Sequence, residues 1–336
     1  MRRAGQSTPP RFVHESFCHR RQWVYRLKCR QTIARRRPRR ALPRARNVQT
    51  DRIDGLNWER FVGDVRSAES MAAGIEGCDA VIHLASPSSW NDIDSPHMAD
   101  IVEGGTRHVL DAALAAGKPR VVYCSSAIAI NGTTSPIVQD ETATFSLNDP
   151  KMVYAMSKHK AELICDEYVE KHDLDIVTVN PAEVYGPNDT GNVTCGTLID
   201  FAKSWPVLVS KGGTAVTHVD DVANGIVRAL EKGKTGERYV LGGDNLTIEE
   251  LARLTLDVLG KKAPVITMPT GALKALTAAA VAVRAPLPYN PLVIPYATLY
   301  WLFDNTKAKH ELGVDFRPAR ETLASTLAWL KEEKLI

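Results

Sequence analysis

The chain has 336 residues, of which 44% are hydrophobic and 24% charged, which suits a soluble globular protein with one large core, or a core and a smaller lobe. No apolar run is long enough to cross a bilayer, so the sequence excludes a membrane-spanning protein. The six cysteines show neither Cys-x-x-Cys pairing nor a histidine cluster at metal spacing, which predicts no metal site and idle thiols in a reducing, cytoplasmic compartment.

Residues 1–46 differ from the rest of the chain in charge. They hold 14 Arg and one Lys against a single acid, Glu15, so this segment carries about +14 and the remaining 290 residues about −11. We consider a targeting presequence, a basic arm for nucleic acid, and residues not shaped by selection, which a mistaken start or a shifted reading frame would produce. We favour the third and expect 1–46 to be an atypical Arg-rich segment, disordered or non-native.

From about Val48 onward, short β-branched runs alternate with amphipathic helical stretches. This alternation predicts an α/β fold, a doubly wound parallel sheet with helices on both faces. The predicted strands are Trp58–Val62, Ala80–Leu84, Arg120–Cys124, Ile176–Val179 and Tyr239–Leu241. The predicted helices are Ser67–Ile75, Met98–Ala116, Met152–His172, 248–259 and about 318–333.

The composition changes after Pro181. Gly, Pro, Asn and Thr become frequent over residues 186–214, as in loops that build a substrate pocket. We therefore expect residues 186–336 to form mainly a smaller C-terminal substrate-binding lobe, with some segments returning to the sheet.

The start of the fold lacks an expected feature. A doubly wound dinucleotide-binding fold opens with a strand, a Gly-rich turn and a helix, because glycine lets the backbone approach the pyrophosphate. The only glycine before Gly55 is Gly5. We therefore expect the first βα unit to be missing or abnormal, with Trp23–Leu27 as a remnant of its helix.

Tyr154 and Lys158 lie four residues apart on a predicted helix and so share a face. The ammonium would favour the phenolate and lower the pKa of Tyr154 toward working pH. Ser125 and Ser126 directly follow the predicted strand Arg120–Cys124. Ser126 lies 28 positions before Tyr154. A serine hydroxyl there would hold the substrate oxygen whose proton the tyrosine exchanges. Each residue alone is ordinary, as a packed tyrosine, a solvated lysine or a strand cap, but their combination favours proton-transfer chemistry.

Six motifs follow one another along the chain: Gly63-Asp64-Val65, His83-Leu84-Ala85-Ser86, Cys124-Ser125-Ser126-Ala127, Tyr154-Ala155-Met156-Ser157-Lys158, Asn180-Pro181-Ala182-Glu183-Val184-Tyr185-Gly186-Pro187 and His218-Val219-Asp220-Asp221-Val222-Ala223. With them, the chain from about residue 47 onward resembles an extended short-chain dehydrogenase/reductase. The resemblance is to the NAD-dependent epimerase/dehydratase family, in its dihydroflavonol-reductase-like branch.

This resemblance implies a Rossmann-like NAD(P)-binding domain over 47–185 and an oxidoreductase that transfers hydride at a carbonyl or alcohol. Tyr154 would be the general acid/base, Lys158 would bind a ribose hydroxyl and tune Tyr154, and Ser126 would be the catalytic serine, with Ser125 as the alternative. NAD and NADP are not distinguished, because the acidic or basic residue that follows the second strand in the family has no counterpart here. The implied cofactor-binding residues are Asp64 and Val65 at the adenine, Leu84, Ala85 and Ser86 near the ribose, Ser125, Tyr154 and Lys158, and Pro181 and Val184 at the nicotinamide.

Three polar features have plainer interpretations. Asp64 could instead cap the helix that starts near Ser67. A lone histidine in an apolar strand, as His83 is, is more often a satisfied core residue than a catalyst. The pair Asp220-Asp221 is typical of a helix start, where carboxylates cap amides, rather than of a metal site.

The sequence lacks an arginine just before His218, and this bears on the class of substrate. Family enzymes that act on nucleotide sugars often place an arginine just before the turn that His218 begins, to grip the diphosphate, and this chain has none there. We therefore favour a substrate without a diphosphate, although Lys203, Lys211 or Arg228 could substitute. A nucleotide-sugar or hopanoid-associated sugar epimerase stays an alternative, as does a catalytically weak or inactive binding module.

The resemblance also implies partners. A small-molecule substrate is expected, together with a homodimer that pairs through the long Tyr/Lys helix and its predecessor. No nucleic-acid or membrane partner is expected.

Overall fold

The computed structural model describes residues 12–16, 23–27, 58–87, 92–284 and 291–336, with the backbone alone described at 12–16, 23–27 and 58–60. Its strands are β1 (Phe12–Ser16), β2 (Trp23–Leu27), β3 (Trp58–Phe61), β4 (Ala80–His83), β5 (Arg120–Cys124), β6 (Val138–Gln139), β7 (Ile176–Pro181), β8 (Glu183–Tyr185), β9 (Val207–Ser210), β10 (Gly213–His218), β11 (Arg238–Leu241), β12 (Asp244–Thr247), β13 (Val265–Met268) and β14 (Tyr300–Phe303). Its helices are α1 (Ala68–Ile75), α2 (Gly105–Ala115), α3 (Val153–His172), α4 (Cys195–Lys203), α5 (Val219–Lys232), α6 (Ile248–Leu259), α7 (Thr270–Ala282), α8 (Ile294–Ala297) and α9 (Ala319–Glu332).

The main sheet has the strand order β11-β7-β5-β4-β1-β2-β3. β11, β7, β5, β4 and β1 are parallel, whereas β2 runs antiparallel to both of its neighbours. Every residue of β4 and of β7 is buried, as expected of strands covered on both faces.

Helices cover the two faces of this sheet. On one face, Met71 of α1, Val109 of α2 and Ile164 of α3 share a core with the strands. On the other face, Val222 and Ala229 of α5 do the same. Burying a side chain of this kind contributes about 1.5–3 kcal/mol, so the two-sided core fixes the strands whose ends carry the site. The predicted doubly wound α/β fold is confirmed.

The first two strands replace the usual opening of such a fold. β1 lies parallel to β4, but only residues 17–22 separate it from the antiparallel β2. In the usual opening of such a fold, the first strand is joined through a helix to a parallel second strand, a crossover that needs roughly a dozen residues or more. The first βα unit is therefore abnormal, as predicted, but Trp23–Leu27 is a strand and its prediction as a helix remnant was wrong. The expectation for residues 1–46 as a whole stays a prediction, since most of them lie outside the described residues.

The other predicted elements are present with small shifts at their ends. The capping box of α6 forms, with the Thr247 hydroxyl accepting from the Glu250 backbone N–H and the Glu250 carboxylate accepting from the Thr247 backbone N–H. The stretch predicted as one helix over Met98–Ala116 is divided, because a π-helical turn over Asp100–Gly104 leads into α2.

Most of the chain after β7 builds a second layer beside the strand ends of the main sheet, whereas α5 and β11 return to the main sheet. β12, β10, β14 and β6 form a small sheet that β8 joins at β10, and β13 pairs with β9. α4, α6 and α9 share a separate core, in which Leu198, Leu251 and Leu323 are fully buried. This arrangement places β8, α4 and β14 opposite the carboxyl ends of β4, β5 and β7.

Candidate active site

A cavity of about 1620 Å³ opens at the carboxyl ends of the parallel strands. Ligands of open parallel sheets bind at this end of the strands. Most of the side chains that the sequence singled out meet here. Those that line the cavity are Leu84, Ser86, Ser125, Ser126, Tyr154, Lys158, Pro181 and Val184.

Three predicted cofactor-binding residues do not line this cavity. Asp64 follows β3, three strands away from β4, and its carboxylate pairs with Arg66 at 2.6 Å. Val65 and Ala85 are buried. Ser67 caps α1 by accepting the third helical N–H at 3.2 Å, so the capping role considered for Asp64 was wrong. The roles of these three residues at a cofactor stay predictions.

Lys158 lies at the floor of the cavity on α3. Its Nζ donates a hydrogen bond to the carbonyl oxygen of Cys124 at 2.9 Å and lies 5.2 Å from the centre of the Tyr123 ring. Only 2% of the residue is exposed. Burial lowers the pKa of Lys158 to about 8, so this amine loses its proton far more readily than a surface lysine.

Tyr154 stands one helical turn before Lys158 and faces two serines. Burial, together with the nearby Cys124 thiol, raises the pKa of Tyr154 to about 12. The Ser86 and Ser126 side chains act in the opposite direction and lower this pKa, but their effect is smaller. The expected decrease in the tyrosine pKa was therefore wrong in direction. The reason is that a buried phenolate is costly, while the Lys158 ammonium is directed at the Cys124 carbonyl.

The two neighbouring serines have different surroundings. The Ser126 side chain lies near enough to the Tyr154 hydroxyl to lower the pKa of Tyr154. The Ser125 side chain is 5% exposed, and its hydroxyl has no hydrogen-bond partner among the described residues, although it lies near enough to the buried Glu162 carboxylate to lower the pKa of that group. Ser126 is thus the serine placed to share a substrate oxygen with Tyr154. We call Ser126, Tyr154 and Lys158 the polar corner.

A buried network that the sequence did not reveal supports this corner. The Asn180 side-chain amide donates to the Ser126 carbonyl oxygen at 3.0 Å and to Glu162 Oε1 at 2.6 Å. Arg238 Nη1 pairs with Glu162 Oε2 at 3.1 Å. Burial raises the pKa of Glu162. The network ties the end of β5 to α3 and thereby fixes Ser126 relative to Tyr154. Its one signal in the sequence is that Glu162 lies one helical turn after Lys158.

The histidine and the aspartate pair are structural. His83 Nε2 lies 3.2 Å from the Thr106 hydroxyl in the core, as expected of a core histidine. α5 begins after His218, whose Nδ1 accepts the Asp220 N–H at 3.1 Å, so the predicted helix start is correct but the cap is a histidine. Asp221 pairs with Arg317 at 3.0 Å. Across the described parts of the chain, no group of three or more His, Cys, Asp or Glu could hold a metal ion.

Glu183 is a polar group of the cavity that the sequence did not assign. It lies on β8, and its Oε1 accepts a hydrogen bond from the Tyr185 hydroxyl at 2.8 Å. Burial raises the pKa of Glu183, against hydrogen bonds from Thr214 and Tyr185. The motif containing Glu183 was recognised, but which of its side chains face the cavity depends on the pairing of β8 with β10.

The rest of the lining is largely apolar. Facing the polar corner are side chains from α4 and β9, from β13 and α7, and from the segment that ends in β14. We call them the apolar wall: Phe201, Trp205, Leu208, Val209, Met268, Leu273, Leu276, Ile294, Leu299 and Trp301.

The charged side chains that line this cavity are mostly acidic. Lys158 is the one basic side chain among its described lining residues, whereas the acids Glu183, Asp189, Asp200 and Asp220 all contribute to it. Lys203, Lys211 and Arg228, the possible substitutes for a diphosphate-binding arginine, do not line it. Within the described residues, the cavity lining therefore contains no cluster of cations of the kind that a diphosphate needs.

A model of the NAD dependent epimerase/dehydratase family matches residues 29–242. The chain belongs to this family. It is therefore an NAD(P)-dependent oxidoreductase of the extended short-chain dehydrogenase/reductase type.

Individual proteins are similar to this chain over most of its length. Sterol demethylase protein B of Methylococcus capsulatus is 29% identical over 296 residues, which cover 84% of this chain and 88% of that protein. A putative dihydroflavonol 4-reductase of Synechocystis is 29% identical over 304 residues, 87% of each chain. The crystal structure of gox2253 superposes with a TM-score of 0.73 at 29% identity and covers 86% of this chain and 89% of that one.

Proposed function

We propose that this family member reduces a carbonyl, or oxidises the corresponding alcohol, on an apolar substrate without a diphosphate. One observation carries the proposal: the polar corner faces an apolar wall in a cavity whose one described basic lining residue is Lys158. A carbonyl needs a proton at its oxygen as it is reduced, and a diphosphate needs several cations. The cavity is built for the first and not for the second.

In this proposal, the substrate oxygen lies between the hydroxyls of Ser126 and Tyr154. When bound, NAD(P) supplies or accepts the hydride. Tyr154 donates its proton to the carbonyl oxygen during reduction and removes it during oxidation, while Ser126 holds the oxygen in place. Lys158 favours the transient phenolate electrostatically, because its ammonium is buried in the same corner.

The residues at the strand ends fit the nicotinamide half of the cofactor. Pro181 and Val184 would border the ring, and Leu84 and Ser86 would lie by the ribose, where Lys158 would bind a hydroxyl. The part of the chain expected at the adenine half of the cofactor differs from the usual Gly-rich pattern, because the six residues that follow β1 contain no glycine. We keep Asp64, Val65 and Ala85 as proposed contacts there, and we propose 47–185 as the cofactor domain and 186–336 as mainly the substrate lobe.

The names of the relatives support an apolar substrate. A sterol and a dihydroflavonol, which appear in those names, are both ring compounds with little charge. An apolar wall of aromatic and branched side chains suits such rings, because burying apolar surface contributes roughly 25 cal/mol per Å².

The proposal is tested by following the consumption of NADH and of NADPH with three probes: a steroid ketone, an aromatic aldehyde and a UDP-sugar. We expect turnover with a ring ketone or aldehyde and none with the UDP-sugar. Conversion of the UDP-sugar to its epimer would instead favour the epimerase alternative. Binding of neither cofactor, measured by nicotinamide fluorescence, would favour a non-catalytic module.

We also propose a cytoplasmic homodimer that pairs through α2 and α3. Two observations support it: Leu163 of α3 is 53% exposed, and the cysteines among the described residues are free thiols. Light scattering should give twice the chain mass for the wild type. A Leu163→Glu variant that keeps the same dimer would place the interface elsewhere.

A further inference from the structure

The outward surface of α7 is apolar, unlike that of an ordinary surface helix. Leu273 and Thr277 are its buried residues, and most other positions are exposed. Leu276 is 57% exposed, Val281 52% and Val283, which follows the helix, 74%. A helix on a protein surface normally turns charged and polar residues outward. We call the exposed residues from Gly271 to Val283 the α7 surface.

The charges along the chain segment that contains α7 are of one sign. Between Asp257 and Asp304 the chain has no acidic residue, but it has Lys261, Lys262, Lys274 and Arg284. All four are exposed. The chain after residue 46 is otherwise acidic, so this segment is a local basic stretch, with Lys274 on α7 itself and Arg284 two residues after the helix. An anionic, water–hydrocarbon boundary complements both properties.

The α7 surface continues into the cavity. Leu276 lines the cavity and is exposed, and so are Trp205, at 75% exposure, and Leu208, at 55%. These three side chains therefore form an apolar rim where the cavity meets solvent. Tryptophan is favoured at membrane interfaces, because its ring is apolar and its N–H is polar.

We propose that the α7 surface docks on an anionic lipid bilayer, with the apolar rim of the cavity at the headgroup level. The helix would lie in the interface and would not cross it, because no helix in the described ranges is long and apolar enough to span a membrane. An apolar substrate could then pass between the bilayer and the cavity without entering water. This departs from the expectation of no membrane partner, which considered spanning segments alone.

Flotation of the full-length protein with lipid vesicles tests the proposal. Vesicles of phosphatidylcholine alone are compared with vesicles that also contain phosphatidylglycerol. We expect binding to the anionic vesicles, and we expect a Val281→Asp/Val283→Asp variant to bind them at least about tenfold more weakly. Val227→Asp is the matched control, because Val227 is a valine of similar exposure, 46%, on a different helix, α5; it should bind as the wild type does.

Two further measurements keep the test decisive. Lys274→Glu changes an exposed charge and should weaken binding to anionic vesicles roughly tenfold. This variant keeps the test valid if the double variant unfolds. Brominated lipids should quench tryptophan fluorescence, and Trp205→Phe should remove much of that quenching. The assay needs neither cofactor nor substrate, so it is independent of the proposed reaction.

Two results would overturn the inference. One is equal vesicle binding by the wild type and the α7 variants, which would place any lipid contact elsewhere, for example on the Arg-rich segment. The other is absence of vesicle binding together with an oligomer that the double variant dissociates in light scattering. That result would assign the α7 surface to a second copy of the chain.

Discussion

The polar corner and the apolar wall face each other across one cavity but are built differently. In the corner, Lys158 is buried and donates a hydrogen bond to the Cys124 carbonyl oxygen, Ser126 and Tyr154 are partly buried, and burial shifts the pKa of both Tyr154 and Lys158. The wall consists of large apolar side chains from three separate stretches of the chain, and some of these side chains are exposed to solvent. The corner is thus suited to proton transfer and the wall to selection of substrate. Substitutions should therefore separate turnover from substrate affinity.

The largest effect is expected from Tyr154→Phe. Removal of the phenol hydroxyl leaves no group to exchange the proton, so kcat should fall by about 10²- to 10⁴-fold. The matched control is Tyr300→Phe, because Tyr300 is also partly buried but does not line the cavity. Steady-state kinetics and thermal unfolding measure both variants. Turnover near the wild-type value in a folded Tyr154→Phe variant would contradict the assignment.

The second prediction compares the two serines. Ser126→Ala should lower kcat by about 10²-fold, as expected when one donor to a reacting oxygen is removed. Ser125→Ala should lower it far less, because the Ser126 side chain affects the pKa of Tyr154 and the buried Ser125 side chain does not. The two substitutions remove the same atoms at adjacent positions, so each controls for the other. A larger loss for Ser125→Ala would reverse the roles of the serines.

The polar corner could be predicted because its positions follow from local spacing. Tyr154 and Lys158 are one helical turn apart, and Ser126 follows a strand whose pattern is clear. The direction of the Tyr154 pKa could not be predicted, because it depends on burial and on the contact of Lys158 with Cys124, 34 residues earlier.

The apolar wall and the second strand escaped prediction for different physical reasons. The wall combines residues as distant as Phe201 and Trp301, and only the folded chain brings them together. β2 was missed although Trp23, Val24 and Tyr25 favour strands. There, the expected helix of the dinucleotide-binding fold outweighed the local preference of the residues.

The third prediction concerns the pH dependence of stability at Lys158. Its pKa is about 8 in the folded protein, against 10.5 for an unperturbed lysine. Below pH 8 both states hold the proton and the cost of burying the charge is constant. Between pH 8 and 10.5 only the unfolded state keeps it, so stability should rise with pH. The gain relative to Lys158→Met should approach about 3 kcal/mol, since one pKa unit is about 1.4 kcal/mol.

Urea unfolding of the wild type and Lys158→Met from pH 7 to 10.5 measures this gain. The difference between the two proteins cancels most other titrations. Lys118→Met is the control, because Lys118 also donates to a carbonyl oxygen, that of His172 at 2.6 Å, but is exposed. Its difference from the wild type should stay flat. A flat difference for Lys158→Met as well would mean that the buried amine is not destabilised by its surroundings.

The smallest effect is expected in the apolar wall. Leu299→Ala should raise KM about tenfold and leave kcat within about twofold, because the loss of a few methylenes in an apolar pocket costs about 1–3 kcal/mol of binding. Leu292→Ala is the matched control, since Leu292 is partly buried in the same core cluster but does not line the cavity. Both variants should lose some stability, but only Leu299→Ala should change KM. If Leu299→Ala lowered kcat as strongly as Ser126→Ala, the wall would take part in aligning the reacting atoms, and the separation between corner and wall would fail.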